Sequence, residues 1–383
     1  MKKYSVKLAV ILFVWFGLVL CCIFFQPKER SNTERRKLAQ FPDITLERVV
    51  SGSFMKLFEE YTLDQFPFRD GFRGLSSIFT MYGLKQSDNN GLYIADGYIG
   101  KMDCKIDKNS LHNAVEKFTY IYDNYLENCN TYVSIIPDKN YFLAEEKGVL
   151  SLDYQAICDY VVEEMPFACY IDIMEQLELS CYYKTDTHWR QERILPVADT
   201  LKNGMAVGEN KGIQSSSQTG NYDNSKMNWS SDSKYETKLA TDEFYGVYYG
   251  QLGLPVSPDK LYYLTNNELE SCIVNITGED GQKEVYDMEK LTGNDPYEMF
   301  LSGAVPIITV VNPSIDTGKE LILFRDSFGS SIAPLLMDAY DKITLVDIRY
   351  INSSMLGDYV NFENKDVLFL YSTLLLNSSY TFK

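Results

Sequence analysis

Four short runs toward the C-terminus contain almost nothing that prefers water: Ile307 to Val311, Leu321 to Phe324, Ile343 to Val346 and Val367 to Leu370. Runs apolar at nearly every position, rather than at every second one, need cover on both faces. A helical segment, Ser330 to Tyr340, separates the second run from the third, so three or more of the runs are expected to be neighbouring parallel strands. The middle of the chain alternates in the same way, with helical spacing from Leu111 to Tyr125, a run at Tyr132 to Ile136, a helix from Tyr154 to Glu164 and a run at Phe167 to Ile171. The expected class is α/β, a three-layer sandwich with a central, mostly parallel sheet.

The remaining segments decorate that core. Phe54, Leu57, Phe58 and Tyr61 recur at helical spacing, and a second helical stretch runs through Tyr82, giving an opening helical pair. Leu92 to Gly100 reads as a hairpin turning at Asp96-Gly97. A helix is expected from Gln191 to Asn203. From Gly204 to Asn224 Ser, Asn, Gln, Gly and Lys predominate, which predicts a long surface loop. Aromatic-rich pieces such as Phe244 to Tyr249 and Lys260 to Leu264 then predict a small antiparallel β insertion, about 234–290.

The N-terminus sets the expected address. Lys2, Lys3 and Lys7 precede an apolar run from Leu8 to Phe25, which as a helix covers roughly 27 Å, close to the hydrocarbon thickness of a bilayer. The positive flank favours a cytoplasmic N-terminus. A cleaved signal peptide fits less well, because its apolar region is shorter and ends in small residues; Leu20 before Cys21 and Cys22 argues against a lipoprotein. The expected organisation is a cytoplasmic tip and transmembrane anchor over 1–27, a polar juxtamembrane linker over 28–50 and an extracytoplasmic catalytic domain over 51–383. A formal charge of −17 excludes a broad basic face for nucleic acid. Cys104, Cys129, Cys158, Cys169, Cys181 and Cys272 fall in the exported part, where disulfides and buried free thiols are both open. No spacing suggests a metal site, and no phosphate-binding glycine loop or other cofactor motif is present.

Candidate chemistry gathers at two places. His188, in Asp186-Thr187-His188-Trp189, is one of two histidines in the chain. Ser327 follows the run Leu321 to Phe324 and precedes a helix, a strand-turn-helix setting that presents a nucleophile at the C-terminal end of a strand. A serine hydroxyl needs a base within hydrogen-bond reach, and the base needs a third group to hold its tautomer. Asp186 as orienter, His188 as base and Ser327 as nucleophile fill those roles. Backbone N–H groups at the following helix start are candidates for holding an oxyanion, and Gly329 for close approach of substrate. Trp189 reads as a sugar-lining ring or as core; Arg325, Asp326 and Lys139 read as supporting or surface charges. His112 reads as a solvated helix residue.

Further motifs carry a resemblance: Arg36 to Pro42, Asp64 to Arg69, Ile136-Pro137-Asp138-Lys139-Asn140, Asp186-Thr187-His188-Trp189, Tyr297 to Leu301, Arg325-Asp326-Ser327-Phe328-Gly329 and Val346 to Tyr350. With them the chain resembles the DHHW protein family, relatives of the AlgJ and AlgX alginate acetylation proteins in the SGNH hydrolase superfamily. Thr187 departs from the eponymous motif. The resemblance implies a circularly permuted SGNH-hydrolase-like fold with Asp186, His188 and Ser327 as its triad, and it places Arg349 and Tyr350 in a block near the site. It further implies a polysaccharide substrate and a membrane-bound O-acyltransferase that supplies acetyl groups. A carbohydrate or wall-polymer acetylesterase and a non-catalytic polysaccharide-binding scaffold are the alternatives.

Overall fold

The computed structural model describes residues 7–10, 12–13, 16–17, 27–31, 33–208 and 234–383, with the backbone alone at 145–147 and 207–208. Among them no helix is long and apolar enough to cross a membrane. The expected anchor, Leu8 to Phe25, lies largely outside the described residues. So does the loop expected from Gly204 to Asn224, except that Gly204 to Gly208 complete the helix Leu195–Gly208. The chain forms two compact units, residues 1–93 with 247–257, and residues 94–246 with 258–383.

The first unit begins with a two-residue ladder, β1 (Arg30–Ser31) against β2 (Arg36–Lys37), followed by helices Leu46–Val50, Ser53–Asp64 and Arg69–Ile78. The expected helical pair is therefore present. Arg36 grips the Asp64 carboxylate with both guanidinium nitrogens, at 2.8 and 2.5 Å, and Asp64 also accepts the Ala39 N–H at 2.8 Å. Two of the sequence motifs are thus halves of one lock. Beyond this unit's helices, β3 (Leu92–Ala95) and β4 (Tyr98–Lys101) form the expected hairpin, turning at Asp96 and Gly97 with φ of 50° and 80°.

The second unit is built on a mixed seven-stranded sheet. Its strands are β5 (Asn130–Ile136), β6 (Cys169–Tyr170), β9 (Ile273–Ile276), β10 (Ile307–Val311), β11 (Glu320–Arg325), β12 (Lys342–Val346) and β13 (Asp366–Ser372). The order is β6-β5-β13-β11-β12-β10-β9. Strands β6, β5, β13, β11 and β12 run parallel. β10 is antiparallel to both neighbours, since only residues 312–319 separate it from β11, too few for a parallel crossover. Alternate residues feed opposite sides: Leu321 and Leu323 join one core with helices Leu195–Gly208 and Phe328–Leu336, while Ile322 and Phe324 join another with Lys108–Tyr125 and Tyr154–Glu164. That explains why these runs are apolar throughout.

The β insertion is smaller than expected. β7 (Glu236–Phe244) pairs antiparallel with β8 (Asp259–Thr265) through an irregular register, but β9 belongs to the edge of the main sheet. Phe244 to Tyr249 is not a strand: β7 stops at Phe244 and Val247–Leu252 is helical. The helix expected at Gln191 to Asn203 is a 3-10 turn, Gln191–Arg193, followed by Leu195–Gly208. All six cysteines of the described residues are free thiols, and burial pushes those of Cys158 and Cys272 up to about 11.

Candidate active site

Because β5, β13, β11 and β12 are parallel, the loops after them emerge at one edge of the sheet. β11 ends at the buried Arg325, and the chain turns through Asp326 into Ser327, at the start of the helix Phe328–Leu336. The Asp326 carboxylate fixes this turn by accepting the Phe328 N–H at 3.0 Å and the Ser372 N–H, from the end of β13, at 2.9 Å.

The second half of the site is the loop 183–188, closed by a bridge between Tyr182 and Trp189 and by Tyr183 N–H donating to the His188 carbonyl at 3.1 Å. Lys139, wholly buried after β5, donates to the carbonyl oxygens of Tyr183, Lys184 and Asp186 at 2.8, 3.1 and 2.6 Å. Three acceptors match the three hydrogens of an ammonium, although burial pushes Lys139 down to about 7. From the other side, the Asp259 carboxylate accepts the N–H groups of Lys184 and Thr185 at 2.9 and 2.8 Å. Gly246 N–H donates to Thr185 Oγ1 at 2.9 Å. A side chain at Gly246 would come within 2.2 to 2.4 Å of Asp186 Cβ, Cα and N, so only glycine fits beside Asp186 here.

These two halves meet in one hydrogen-bonded chain. Asp186 Oδ2 lies 2.5 Å from His188 Nδ1, and His188 Nε2 lies 2.7 Å from Ser327 Oγ. A carboxylate can only accept, so Nδ1 carries the proton and Nε2 is left to accept from the serine hydroxyl. Asp186 also accepts the His188 N–H at 3.2 Å, and it is fully buried while Ser327 is half-exposed. The Tyr297 ring stacks on the imidazole with centroids 3.9 Å apart and planes 10° apart. Tyr297 is itself held: its hydroxyl donates to Ser331 Oγ at 2.7 Å, Trp189 Nε1 donates to the same oxygen at 2.8 Å, and Ser331 Oγ donates to the Phe328 carbonyl.

The structure decides between the roles that the sequence left open for several residues. Trp189 does not line a substrate site; it is fully buried behind His188 and ties the histidine loop to the serine helix through Ser331. Gly329 does not face substrate, because a Cβ there would lie 2.5 Å from Arg325 Cβ. Arg325 is buried and donates to the Gly303 carbonyl at 3.0 Å, fixing a turn in which Leu301, Ser302 and Gly303 all have positive φ. The helix N–H groups of Phe328, Gly329 and Ser330 are consumed by Asp326 Oδ1, the Asp326 carbonyl and the Ser327 carbonyl. The N–H of Ser327 itself finds no acceptor among the described residues, and it is the donor left for an oxyanion. Arg349 is clamped bidentately on Asp347 at 2.8 and 2.6 Å and lies over the exposed Tyr350 ring, past the end of β12. His112 is exposed on its helix beside Glu116, apart from the site.

Residues whose roles the sequence did not show are Tyr297, Ser331, Gly246 and, as a tether, Lys139. Tyr297 and Lys139 fell inside motifs, so their importance was signalled but their contacts were not. No group of His, Cys, Asp and Glu among the described residues could hold a metal ion. The arrangement can withdraw a proton from Ser327 and return it to a leaving group, the requirement for acyl transfer through a serine ester.

No protein-family model and no curated protein matches the chain. Solved structures do match. A DHHW family protein from Eubacterium siraeum superposes with a TM-score of 0.57 at 16% identity, covering 76% of this chain and 93% of that one. PatB1 from Bacillus cereus superposes with a TM-score of 0.55 at 18% identity, covering 75% and 97%; PatB1 with a sulfonyl adduct gives 0.53 at 17%, covering 74% and 97%. Identities this low speak for fold alone, and on fold the chain is similar to a DHHW family protein and to PatB1, as its motifs implied.

Proposed function

We propose that the protein is a membrane-anchored, extracytoplasmic O-acetyltransferase that carries acetyl on Ser327 and delivers it to hydroxyls of a cell-surface or secreted polysaccharide. The observation that carries the reading is the continuous chain from Asp186 through His188 to Ser327 Oγ. In the first half-reaction Ser327 Oγ bonds to the acetyl carbonyl carbon while His188 takes its proton, the Ser327 N–H meets the oxyanion, and the donor leaves with the proton from His188. In the second half-reaction an acceptor hydroxyl attacks the acetyl-serine, gives its proton to His188, and Ser327 Oγ recovers it. General-base help of this kind is worth roughly 10²–10⁴ in rate. With Asp186 and His188 ahead of Ser327 in the chain, the fold reads as a circularly permuted SGNH hydrolase. The acetyl supplier is a membrane-bound O-acyltransferase.

The test incubates the protein with an acetyl ester and an oligosaccharide and weighs the oligosaccharide. The expected result is a gain of acetyl mass that Ser327→Ala abolishes without unfolding the domain. Free acetate with no gain in glycan mass would make it an esterase, and full activity in Ser327→Ala would remove the mechanism. A sulfonyl fluoride provides an independent probe, because it labels an activated serine and PatB1 has been solved with a sulfonyl adduct.

A further inference from the structure

The helices of the first unit are inverted relative to a packed amphipathic helix. On Arg69–Ile78 and the π-turn Phe79–Gly83 that continues it, Phe72, Leu75, Phe79 and Tyr82 follow one another at steps of three and four residues, so they form a single stripe. All four are exposed, Phe79 by 62% and Tyr82 by 68%. The opposite face carries the polar and small residues, and that is the face turned inward. Arg73 donates to the carbonyls of Gly250 and Gln251, Ser77 donates to the Leu252 carbonyl at 2.7 Å, and Gly74 lies close to the Gly253 carbonyl. Arg69 pairs with Glu34, and Arg73 pairs with it at 3.2 Å. The preceding short helix adds Leu46 and Val50, exposed by 81% and 79%.

We infer that this apolar stripe lies in the interfacial layer of a lipid bilayer, with the Arg69–Gly83 helix parallel to the membrane plane. A helix with an apolar face outward and basic residues on its polar face is built for the boundary between headgroups and acyl chains, where such a face sinks by about 5–10 Å. Two observations on this unit name the bilayer as occupant. The apolar run Leu8 to Phe25 ends just before Lys28, and the Lys28 backbone is pinned to the Gln65 side chain, N–H to Oε1 at 2.8 Å and carbonyl from Nε2 at 2.8 Å. Gln65 caps the helix Ser53–Asp64, four residues before Arg69, so the chain that follows the run in sequence is tied close to the start of the stripe's helix. Charge agrees: residues 28–93 carry ten Lys and Arg against nine Asp and Glu and residues 247–257 carry none, whereas the rest of the chain from residue 94 carries 23 against 44. The unit with the stripe is the one that an anionic surface does not repel.

The inference rests on the anchoring part of the proposed function only for the position of the run, and the experiment separates the two. The full chain is reconstituted in vesicles of phosphatidylcholine with one third phosphatidylglycerol, in which the phosphatidylcholine carries bromine on its mid-upper acyl chain. Native Trp15 reports on the run when the parent is compared with Trp15→Phe. Phe72→Trp and Phe79→Trp, each in the Trp15→Phe background, report on the stripe, and Glu116→Trp on the helix Lys108–Tyr125 is the control. Stripe tryptophans that shift to the blue and lose emission to bromine, with the control unchanged, are the expected result. Stripe tryptophans that stay unquenched overturn the inference, whether or not Trp15 is quenched; protection of the stripe only when a membrane-bound acyltransferase is added would assign it to a protein partner and overturn it equally. Quenched stripe positions with unquenched Trp15 would support the inference while removing the anchor. Acetyl transfer measured on the same preparations reports on the proposed function alone.

Discussion

Replacing Gly246 with alanine should disable the site through a single methyl group placed far along the chain from it. The alanine Cβ would sit 2.2 Å from Asp186 Cβ and 2.3 Å from its Cα, and backbone atoms cannot swing aside as a side-chain tip can. Ordinary contact begins at 3.4 Å, so Asp186 must retreat by about 1.2 Å, and a misplacement of about 1 Å in a catalytic constellation costs roughly 100-fold in rate. The retreat is opposed on both sides of the loop by Lys139 and Asp259, which is why the strain should appear at the Asp186 to His188 bond. Overpacking of this kind costs about 1–3 kcal/mol, at about 2–4 °C of Tm per kcal/mol. Steady-state transfer to an oligosaccharide, measured beside thermal unfolding, should give a kcat reduced about 100-fold in a domain that still melts cooperatively. Thr185→Val is the companion variant, since it removes the hydroxyl that receives Gly246 N–H without adding volume, and it should lower kcat by less. A Gly246→Ala enzyme with parental kcat would falsify the argument that this glycine sets the position of Asp186.

Two further outcomes follow from the contacts around the site. Tyr297→Leu removes the ring stacked on His188, and a cation held over an aromatic face is worth about 0.5–2 kcal/mol, so kcat should fall roughly 2- to 30-fold with KM little changed; Tyr297→Phe, which keeps the ring and loses only the bond to Ser331, should stay near the parent. Lys139→Met should reduce activity by releasing three carbonyls of the loop, and it should also alter the pH dependence of stability. Burial holds Lys139 at about 7 in the fold against 10.5 for a solvated lysine. Between those values the unfolded chain binds more protons, so the Lys139 contribution to stability rises with pH across that window. Thermal unfolding followed from pH 7 to 10 should show that rise in the parent and a flatter profile in Lys139→Met; identical slopes would show that the ammonium is not destabilised by its burial.

The central sheet was legible because cover on two faces is written into local composition: β11, β12 and β13 are apolar on both alternations, and each alternation reaches its own core. The meeting of Asp186, His188 and Ser327 was legible for a different reason, scarcity, since a chain with two histidines offers few bases to a serine at a strand-to-helix turn. Three of the four apolar runs, β11, β12 and β13, are the parallel neighbours expected, and the direction of the fourth, β10, follows from its eight-residue link to β11. Phe244 to Tyr249 suits a strand by its aromatic alternation, yet β7 stops at Phe244 and the chain passes Asp186 at Gly246, where a side chain has no room.

What the sequence determined by itself was the α/β class, the residue types of the site and the loops that carry them. That Trp189 and Gly329 support the site rather than meet substrate, that Tyr297 lies on His188, and that Gly246 must have no side chain came from the folded chain. The physical reason is range. Apolar cover and turn chemistry are properties of neighbouring residues. The space left beside an atom, and the face a ring presents, depend on chain segments that approach only when the whole sheet has closed.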